Sequence, residues 1–374
     1  LKRLQPRGSL QSHIAQRLLP SAMLIAGARV VAPVFFHRQA ARPPLVRAVA
    51  SGRSTRANVY YQGPRAPTSV ISTGSVGTIR DGLGSDGEFF GVDPVATEVE
   101  IRDGRDGAYT LDENGFKLVD HAWRHVNYYD HTAVLENYYP ECEALVCSET
   151  GATWSLAFDH NVRAQRRKQS GEIMQNGSAV QEPLITYGVH NDYTVTSAPS
   201  RIRQLAQPPK YNDTLRPRLG SQPPIDPERV ESLLRGRWLF VNVWRNVCEA
   251  PVERFPLGLC DAKSTAVDDL VVFEIRYSDR VGENYFARHS RAHDWVFFPE
   301  ATRDEVVILK CWDSRGRDFA ELMPGRSGRD TSIGVDTVPA SFSLHSGFDD
   351  PLTPTSAPDR ESIEVRLVAF FEEE

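Results

Sequence analysis

Residues 238–245 read Trp-Leu-Phe-Val-Asn-Val-Trp-Arg, a run in which two kinds of side chain alternate. Successive side chains of a β-strand point to opposite faces, so this run predicts a strand with two different faces. The aliphatic face holds Leu239, Val241 and Val243, and the opposite face holds Phe240, Asn242 and Trp244. A polar and aromatic face of this kind can line the mouth of a barrel.

Similar short runs of alternating or β-branched residues recur on both sides of this strand and predict a mainly β protein. They cover residues 97–102, 109–119, 153–159, 270–277, 294–298, 305–312, 341–345 and 362–371. Flanking helices are predicted at residues 135–147, 197–206 and 226–234, the last of which begins with Asp226 and Pro227. Residues 207–227 and 323–339 are predicted to be loops.

The composition excludes several classes of protein. The 374 residues are 40% hydrophobic and 25% charged, which is typical of a globular protein. A net charge of -6 disfavours nucleic acid as a partner, and no stretch is long and apolar enough to predict a membrane span. Five cysteines without a CxxC pair favour a reducing compartment, so we expect a cytoplasmic protein.

The first 80 residues contain arginines but no Asp or Glu. This composition is typical of a transit peptide, although a non-native leader would look the same. We expect residues 1–57 to be a leader outside the fold, which makes a mitochondrial location the alternative. Residues 58–374 are predicted to form one domain with an extended arm at 58–91, so that the folded body begins near Val92.

A His-x-Asp triplet lies in the stretch Tyr187-Gly-Val-His190-Asn-Asp192. On an extended strand end, a two-residue spacing sends both side chains to the same side. His345, at another predicted strand end, would complete a set of two histidines and one carboxylate, which suits iron(II) with open coordination positions. An HxD pair can equally be a packed histidine beside an Asp that caps a helix.

Arg360 and Ser362 follow His345 in a strand-like stretch, one strand repeat apart on the same face. A guanidinium fork and a hydroxyl together suit the distal carboxylate of 2-oxoglutarate. The alternative for Arg360 is a surface ion pair with a neighbouring acid. Further candidates for contact with substrate or co-substrate are Arg163, Asn242, Trp244 and Arg245, although Trp244 could equally be packing and Arg163 a strand-end ion pair.

Six stretches of the chain resemble the fungal and bacterial family of cephem methoxylase-like and gibberellin desaturase-like oxygenases of secondary metabolism. They are residues 158–163, 189–192, 236–245, 304–314, 345–351 and 360–366. The resemblance runs from about residue 58 to residue 371. It departs from the family pattern at Leu344, Gly347 and Asn246, which leaves the substrate open.

The resemblance implies a double-stranded β-helix, a distorted and cupin-like jelly roll. It implies Fe(II), 2-oxoglutarate as co-substrate and dioxygen, and the hydroxylation, desaturation or oxidative ring formation of a small molecule. By motif position, His190, Asp192 and His345 become the catalytic metal ligands, and Arg360 and Ser362 become the co-substrate anchor.

Two other functions stay open at this point. The chain could be an accessory, non-catalytic subunit beside a partner enzyme, and it could also form a homodimer. It could instead be a cupin-like metal enzyme that does not use 2-oxoglutarate. An intact set of five site residues favours catalysis, because a scaffold has no chemical need for them.

Overall fold

The computed structural model describes residues 52–80, 86–124, 126–171, 180–181, 183, 187–211, 213–319 and 339–371. All of them belong to the unit Ala50–Glu374. Residues 1–51 of the predicted leader and residues 323–338 of the second predicted loop lie outside the described residues. The expectation of one domain over residues 58–374 stays a prediction.

The larger of two sheets contains ten strands within the described residues. Their spatial order is β1 (Thr55–Gln62), β4 (Pro94–Asp103), β12 (Trp295–Phe297), β9 (Leu257–Cys260), β14 (His345–Gly347), β7 (His190–Asn191), β11 (Val281–Ala287), β10 (Leu270–Arg276), β2 (Gly77–Arg80) and β3 (Asp86–Phe90). Neighbours pair antiparallel except β4 with β12 and β2 with β10. The sheet therefore places the short strands β14 and β7 side by side near its centre.

The smaller sheet contains five strands in that same described part of the chain. Their order is β5 (Phe116–Asp120), β13 (Glu305–Asp313), β8 (Arg237–Asn246), β15 (Glu361–Phe371) and β6 (Trp154–Ala164). The central strand β8 is the one that residues 238–245 predicted. Nine of its ten residues are buried, because β13 and β15 flank it and both of its faces are covered.

Short helices surround the sheets. They are α1 (His131–Ala133), a π-helix (Val134–Tyr138), α2 (Tyr139–Thr150), α3 (Gln165–Gln169), α4 (Ser197–Leu205), α5 (Arg216–Leu219), α6 (Val230–Arg235) and 3-10 turns at Pro227–Arg229, Ala262–Ser264, Val267–Asp269 and Arg317–Phe319. Helix α2 packs against β6 and β15. The Asp226 carboxylate accepts a hydrogen bond from the Glu228 amide, 3.0 Å away, so the predicted start of the third helix is confirmed.

Two expectations about the chain's organisation are wrong. Residues 58–91 were expected to be an arm before a body that begins near Val92, but β1 pairs with β4 along its whole length. Its alternate residues Ala57, Val59 and Tyr61 are buried in the main core. The predicted strand at 109–119 is shorter, because a turn occupies residues 110–115 and ends at Gly115 with φ of +81°.

Candidate metal centre and active site

Strand pairing brings together the two histidines singled out in the sequence. His345 of β14 lies directly opposite His190 of β7, and their ring centroids are 4.3 Å apart. Asp192 follows immediately after β7, and its Oδ1 lies 3.7 Å from His190 Nε2. One ligand atom from each of the three residues lies within 4.8 Å of the other two. The three side chains can therefore share one metal ion.

Both imidazoles are oriented through their Nδ1 atoms. His190 Nδ1 lies 2.8 Å from the Gly188 carbonyl oxygen, and His345 Nδ1 lies 3.4 Å from that of Ser343. A proton on Nδ1 donates to the carbonyl oxygen and leaves the Nε2 lone pair available to a metal. This arrangement is typical of metal-binding histidines.

The charge states also suit a dication. Burial, and then the neighbouring His345, lowers the pKa of His190 to about 4, and burial lowers the pKa of His345 as well. Burial alone would raise the pKa of Asp192, but the Arg366 guanidinium and the two histidines together hold it well below its usual range. At neutral pH the site presents two neutral imidazoles and one carboxylate, so no proton has to leave when a metal binds.

The second oxygen of Asp192 has its own partners. Asn242 Nδ2 donates to Asp192 Oδ2 over 2.8 Å, and Arg366 Nε donates to the same oxygen over 3.4 Å. Asn242 thus lies at the site, as a support of a metal-ligand candidate. Arg366 was not among the predicted site residues, although the two-residue spacing from Arg360 through Ser362 was a signal that could have included it.

Arg360 and Ser362 are two buried polar residues at the start of β15. They are 6% and 1% exposed, and within the described residues Arg360 Nε and Ser362 Oγ have no hydrogen-bond partner. Arg360 Nη1 donates to the Phe255 carbonyl oxygen. The guanidinium carbon lies 5.8 Å from the centre of the Trp244 ring, so Trp244 is a neighbour of Arg360.

Arg163 belongs to β6, which is the neighbour of β15 in the smaller sheet. It is paired in register with Ser362, and its charge acts both on Arg360 and on His345. Burial, and then Arg163, lowers the pKa of Arg360 to about 9. The half-buried Arg163 disfavours the charge of the buried Arg360, so these two guanidinium groups together would attract an anion.

Arg245 is not brought to the metal-ligand candidates, and its expected contact with substrate or co-substrate stays a prediction. Its side chain is fully buried, and its guanidinium donates to the Tyr138 hydroxyl and to the carbonyl oxygens of His121 and Arg303, at 2.7–3.1 Å. Alternation along β8 puts it on the face opposite Trp244. There it ties the π-helix to two loops.

Comparison with known proteins identifies the family. The family model described as "Oxidoreductase/YMDC permease-like domain" matches residues 86–370. The chain belongs to this family. Every helix within the described residues is too short or too polar to cross a membrane.

Two curated relatives carry informative names. The hydroxylase/desaturase efuI of Hormonema carpetanum is 27% identical over 84% of this chain and 97% of its own length. The alpha-ketoglutarate-dependent dioxygenase phiK of a fungal species is 25% identical over 73% of this chain and 83% of its own length. The resemblance inferred from the motifs is confirmed by these relatives.

A solved structure shows the same fold. The iron and alpha-ketoglutarate-dependent endoperoxidase NvfI matches with a TM-score of 0.62 and 22% identity, over 87% of this chain and 100% of that one. The predicted fold class, mainly β with flanking helices in a jelly roll, is confirmed.

Proposed function

We propose that this protein is an oxygenase that uses iron(II), 2-oxoglutarate and dioxygen to oxidise a small molecule of secondary metabolism. In this proposal His190, Asp192 and His345 hold the metal. The names of the two curated relatives, a hydroxylase/desaturase and an alpha-ketoglutarate-dependent dioxygenase, support the reaction class. Three protein ligands on one side of an ion leave positions for a co-substrate and for dioxygen.

The observation that carries the proposal is the pair of buried donors without partners at Arg360 and Ser362. A buried polar group without a hydrogen bond costs about 1–3 kcal/mol, so a fold retains one where a ligand completes it. A guanidinium and a hydroxyl one strand repeat apart match the two oxygens of a carboxylate. The residues therefore fit the distal carboxylate of 2-oxoglutarate.

Bound iron would couple the oxidative decarboxylation of 2-oxoglutarate by dioxygen to the oxidation of an unactivated C–H bond. The protein positions the reacting groups and excludes water from them. Gly188 and Ser343 orient the two imidazoles through their carbonyl oxygens, and Asn242 orients the carboxylate. His345 is 4% exposed, so the metal position is screened from water on that side.

Hydroxylation, desaturation and ring formation are the outcomes of this chemistry, and the position of the substrate C–H bond decides among them. Arg163 and Trp244 are the substrate contacts that we propose, because both are neighbours of the proposed co-substrate anchor. The five cysteines are all free, which supports a reducing compartment, and both the cytoplasmic location and its mitochondrial alternative stay predictions. The absence of nucleic acid and membrane from its partners, and the possible partner enzyme or homodimer, stay predictions.

An anaerobic titration tests the proposal. Iron(II)-loaded protein is mixed with 2-oxoglutarate, and the weak visible band of the metal chelate is followed, with succinate formation measured after oxygen is admitted. We expect the band in the wild type and in His289→Ala, a control at an exposed histidine. We expect neither metal nor band in His345→Ala, since that variant lacks one of the three ligands.

Two results would redirect the assignment. Bound iron without the chelate band would reject 2-oxoglutarate and favour the cupin-like enzyme. A chain that binds neither iron nor 2-oxoglutarate would favour the accessory subunit.

A further inference from the structure

The side chain of Arg366 connects the metal-ligand candidates to two further acids. Its Nη1 lies 3.2 Å from Asp159 Oδ2 and its Nη2 lies 3.1 Å from Glu364 Oε1, while Nε reaches Asp192. In the smaller sheet Arg366 stands opposite Asp159 on β6 and opposite Asn242 on β8. Each of the three guanidinium nitrogens therefore has a carboxylate partner of its own.

The two carboxylate oxygens of Asp192 face different surroundings. Oδ1 lies 3.7 Å from His190 Nε2, a distance too long for a hydrogen bond but suited to two atoms that share an ion. Oδ2 accepts from Asn242 and Arg366. A carboxylate held in this way cannot rotate freely, because rotation would break both hydrogen bonds to Oδ2.

We propose that Arg366, together with Asn242, is a positioning residue that restricts Asp192 to one donor oxygen and so keeps a coordination position of the metal open. This inference deepens the proposed function and rests on the metal site within it. If Asp192 gave both oxygens to the metal, it would occupy a position that co-substrate and dioxygen need.

An arginine fits this positioning role better than a lysine would. A guanidinium is a planar fork whose nitrogens point in fixed directions, whereas a lysine ammonium is a single point of charge on a flexible stem. Asp159 and Glu364 hold two corners of the fork, so the third corner is fixed against Asp192. A purely structural ion pair between β15 and β6 would need only the Asp159 contact.

Cobalt(II) is the probe for the test, because its visible absorption reports coordination number and geometry without turnover. Wild type, Arg366→Met, Arg366→Lys and Asn242→Ala are loaded with cobalt(II), and spectrum and affinity are recorded. The control is Arg245→Lys, a buried arginine on β8 that lies on the opposite face of the smaller sheet from the half-buried Arg366. Thermal unfolding of every variant reports loss of fold separately.

We expect changed cobalt bands in Arg366→Met, with metal affinity lower by roughly 10-fold or more, as is usual when a residue that orients a ligand is lost. Arg366→Lys and Asn242→Ala should show smaller changes in the same direction. Arg245→Lys should keep the wild-type bands even if its unfolding temperature falls. Wild-type bands and affinity in both Arg366 variants would overturn the inference and leave Arg366 as a structural ion pair.

Failure of the proposed function gives a different pattern. If cobalt binds through the triad and responds to Arg366, but 2-oxoglutarate does not perturb its bands, the inference stands and the co-substrate assignment falls. If His345→Ala binds cobalt as the wild type does, the triad holds no metal and both are overturned.

Discussion

Replacement of Arg360 tests whether this residue binds a ligand or stabilises the fold. Arg360 is 6% exposed, and among the described residues its Nε has no hydrogen-bond partner. If it binds the distal carboxylate of 2-oxoglutarate, Arg360→Met removes a buried charge pair. Truncation of one partner in such a pair costs about 2–5 kcal/mol. At about 1.4 kcal/mol for each factor of ten, the affinity for 2-oxoglutarate should fall roughly 30-fold to 4,000-fold.

Two milder variants should reduce the affinity for 2-oxoglutarate by smaller amounts. Arg360→Lys keeps the charge but loses the fork, and Ser362→Ala loses one hydroxyl that would donate to a charged oxygen. A hydrogen bond to a charged group contributes about 1.5–3 kcal/mol, so each change should weaken binding roughly 10-fold to 100-fold. The two residues would hold the same carboxylate, so their effects should not add.

The assay is the anaerobic titration of the chelate band at several concentrations of 2-oxoglutarate. Arg166→Met is the control, because that arginine is 80% exposed and lies beside Asp359 on the surface. It should bind like the wild type. Unchanged affinity in both Arg360→Lys and Ser362→Ala would refute the assignment of these residues as the anchor.

Stability without ligand gives an independent reading of the same site. Burial lowers the pKa of Arg360 to about 9, which means that the folded protein disfavours this charge. Replacement of a poorly paired buried ion by an apolar side chain of similar size is often neutral or stabilising by about 1–4 kcal/mol. We expect Arg360→Met, free of 2-oxoglutarate, to unfold at the same or a higher urea concentration. A clear loss of stability would show that Arg360 is held by the fold itself.

Two further predictions concern the fold around the site. Lys310 and Asp313 are both fully buried and 3.0 Å apart, but Asp313 also pairs with Arg237 at 2.7 Å. Lys310→Met should therefore lower the free energy of unfolding by about 1.5–3 kcal/mol, the contribution of a hydrogen bond to a charged group. The exposed control Lys263→Met should cost less than about 1 kcal/mol, and equal urea midpoints for the two variants would contradict the prediction. Burial lowers the pKa of His160 to about 4. The free energy of unfolding should therefore decrease by up to about 3 kcal/mol as the pH falls from about 6.5 to 4, because only the unfolded state binds the proton in this range. His160→Asn, whose side chain can still reach the Tyr139 hydroxyl, should flatten that part of the stability curve, and an unchanged slope would exclude His160 as its cause.

The strands that the sequence predicted best are those with strong local patterns. Residues 238–245, 305–312 and 362–371 became β8, β13 and β15 with ends shifted by one or two residues at most. Strands β7 and β9 have only two and four residues, and the seven residues of β11 carry a weak pattern, so these strands were missed or reduced to strand ends. Their position depends on pairing with distant partners, which leaves little trace in a local run.

At the candidate site, too, local patterns were predicted well and contacts between distant strands were not. The HxD spacing and the RxS spacing predict that each pair shares one side of a strand, because side-chain direction repeats every two residues. The different locations of Arg245 and Arg366 could be recognised only from the pairing of strands in the sheet. Both are arginines in predicted strands, but Arg245 is on the face that meets the π-helix, whereas Arg366 stands across from Asn242 and reaches Asp192.

The sequence by itself therefore determined the chemical groups: two imidazoles and a carboxylate for a metal, and a guanidinium with a hydroxyl for an anion. Only the tertiary structure decided that His345 lies opposite His190 and that Asp192 has one oxygen held and one free for an ion. The reason is physical. The direction of a side chain within a strand follows from local backbone geometry, whereas the neighbour of that strand is selected by burial and hydrogen bonding over the whole chain.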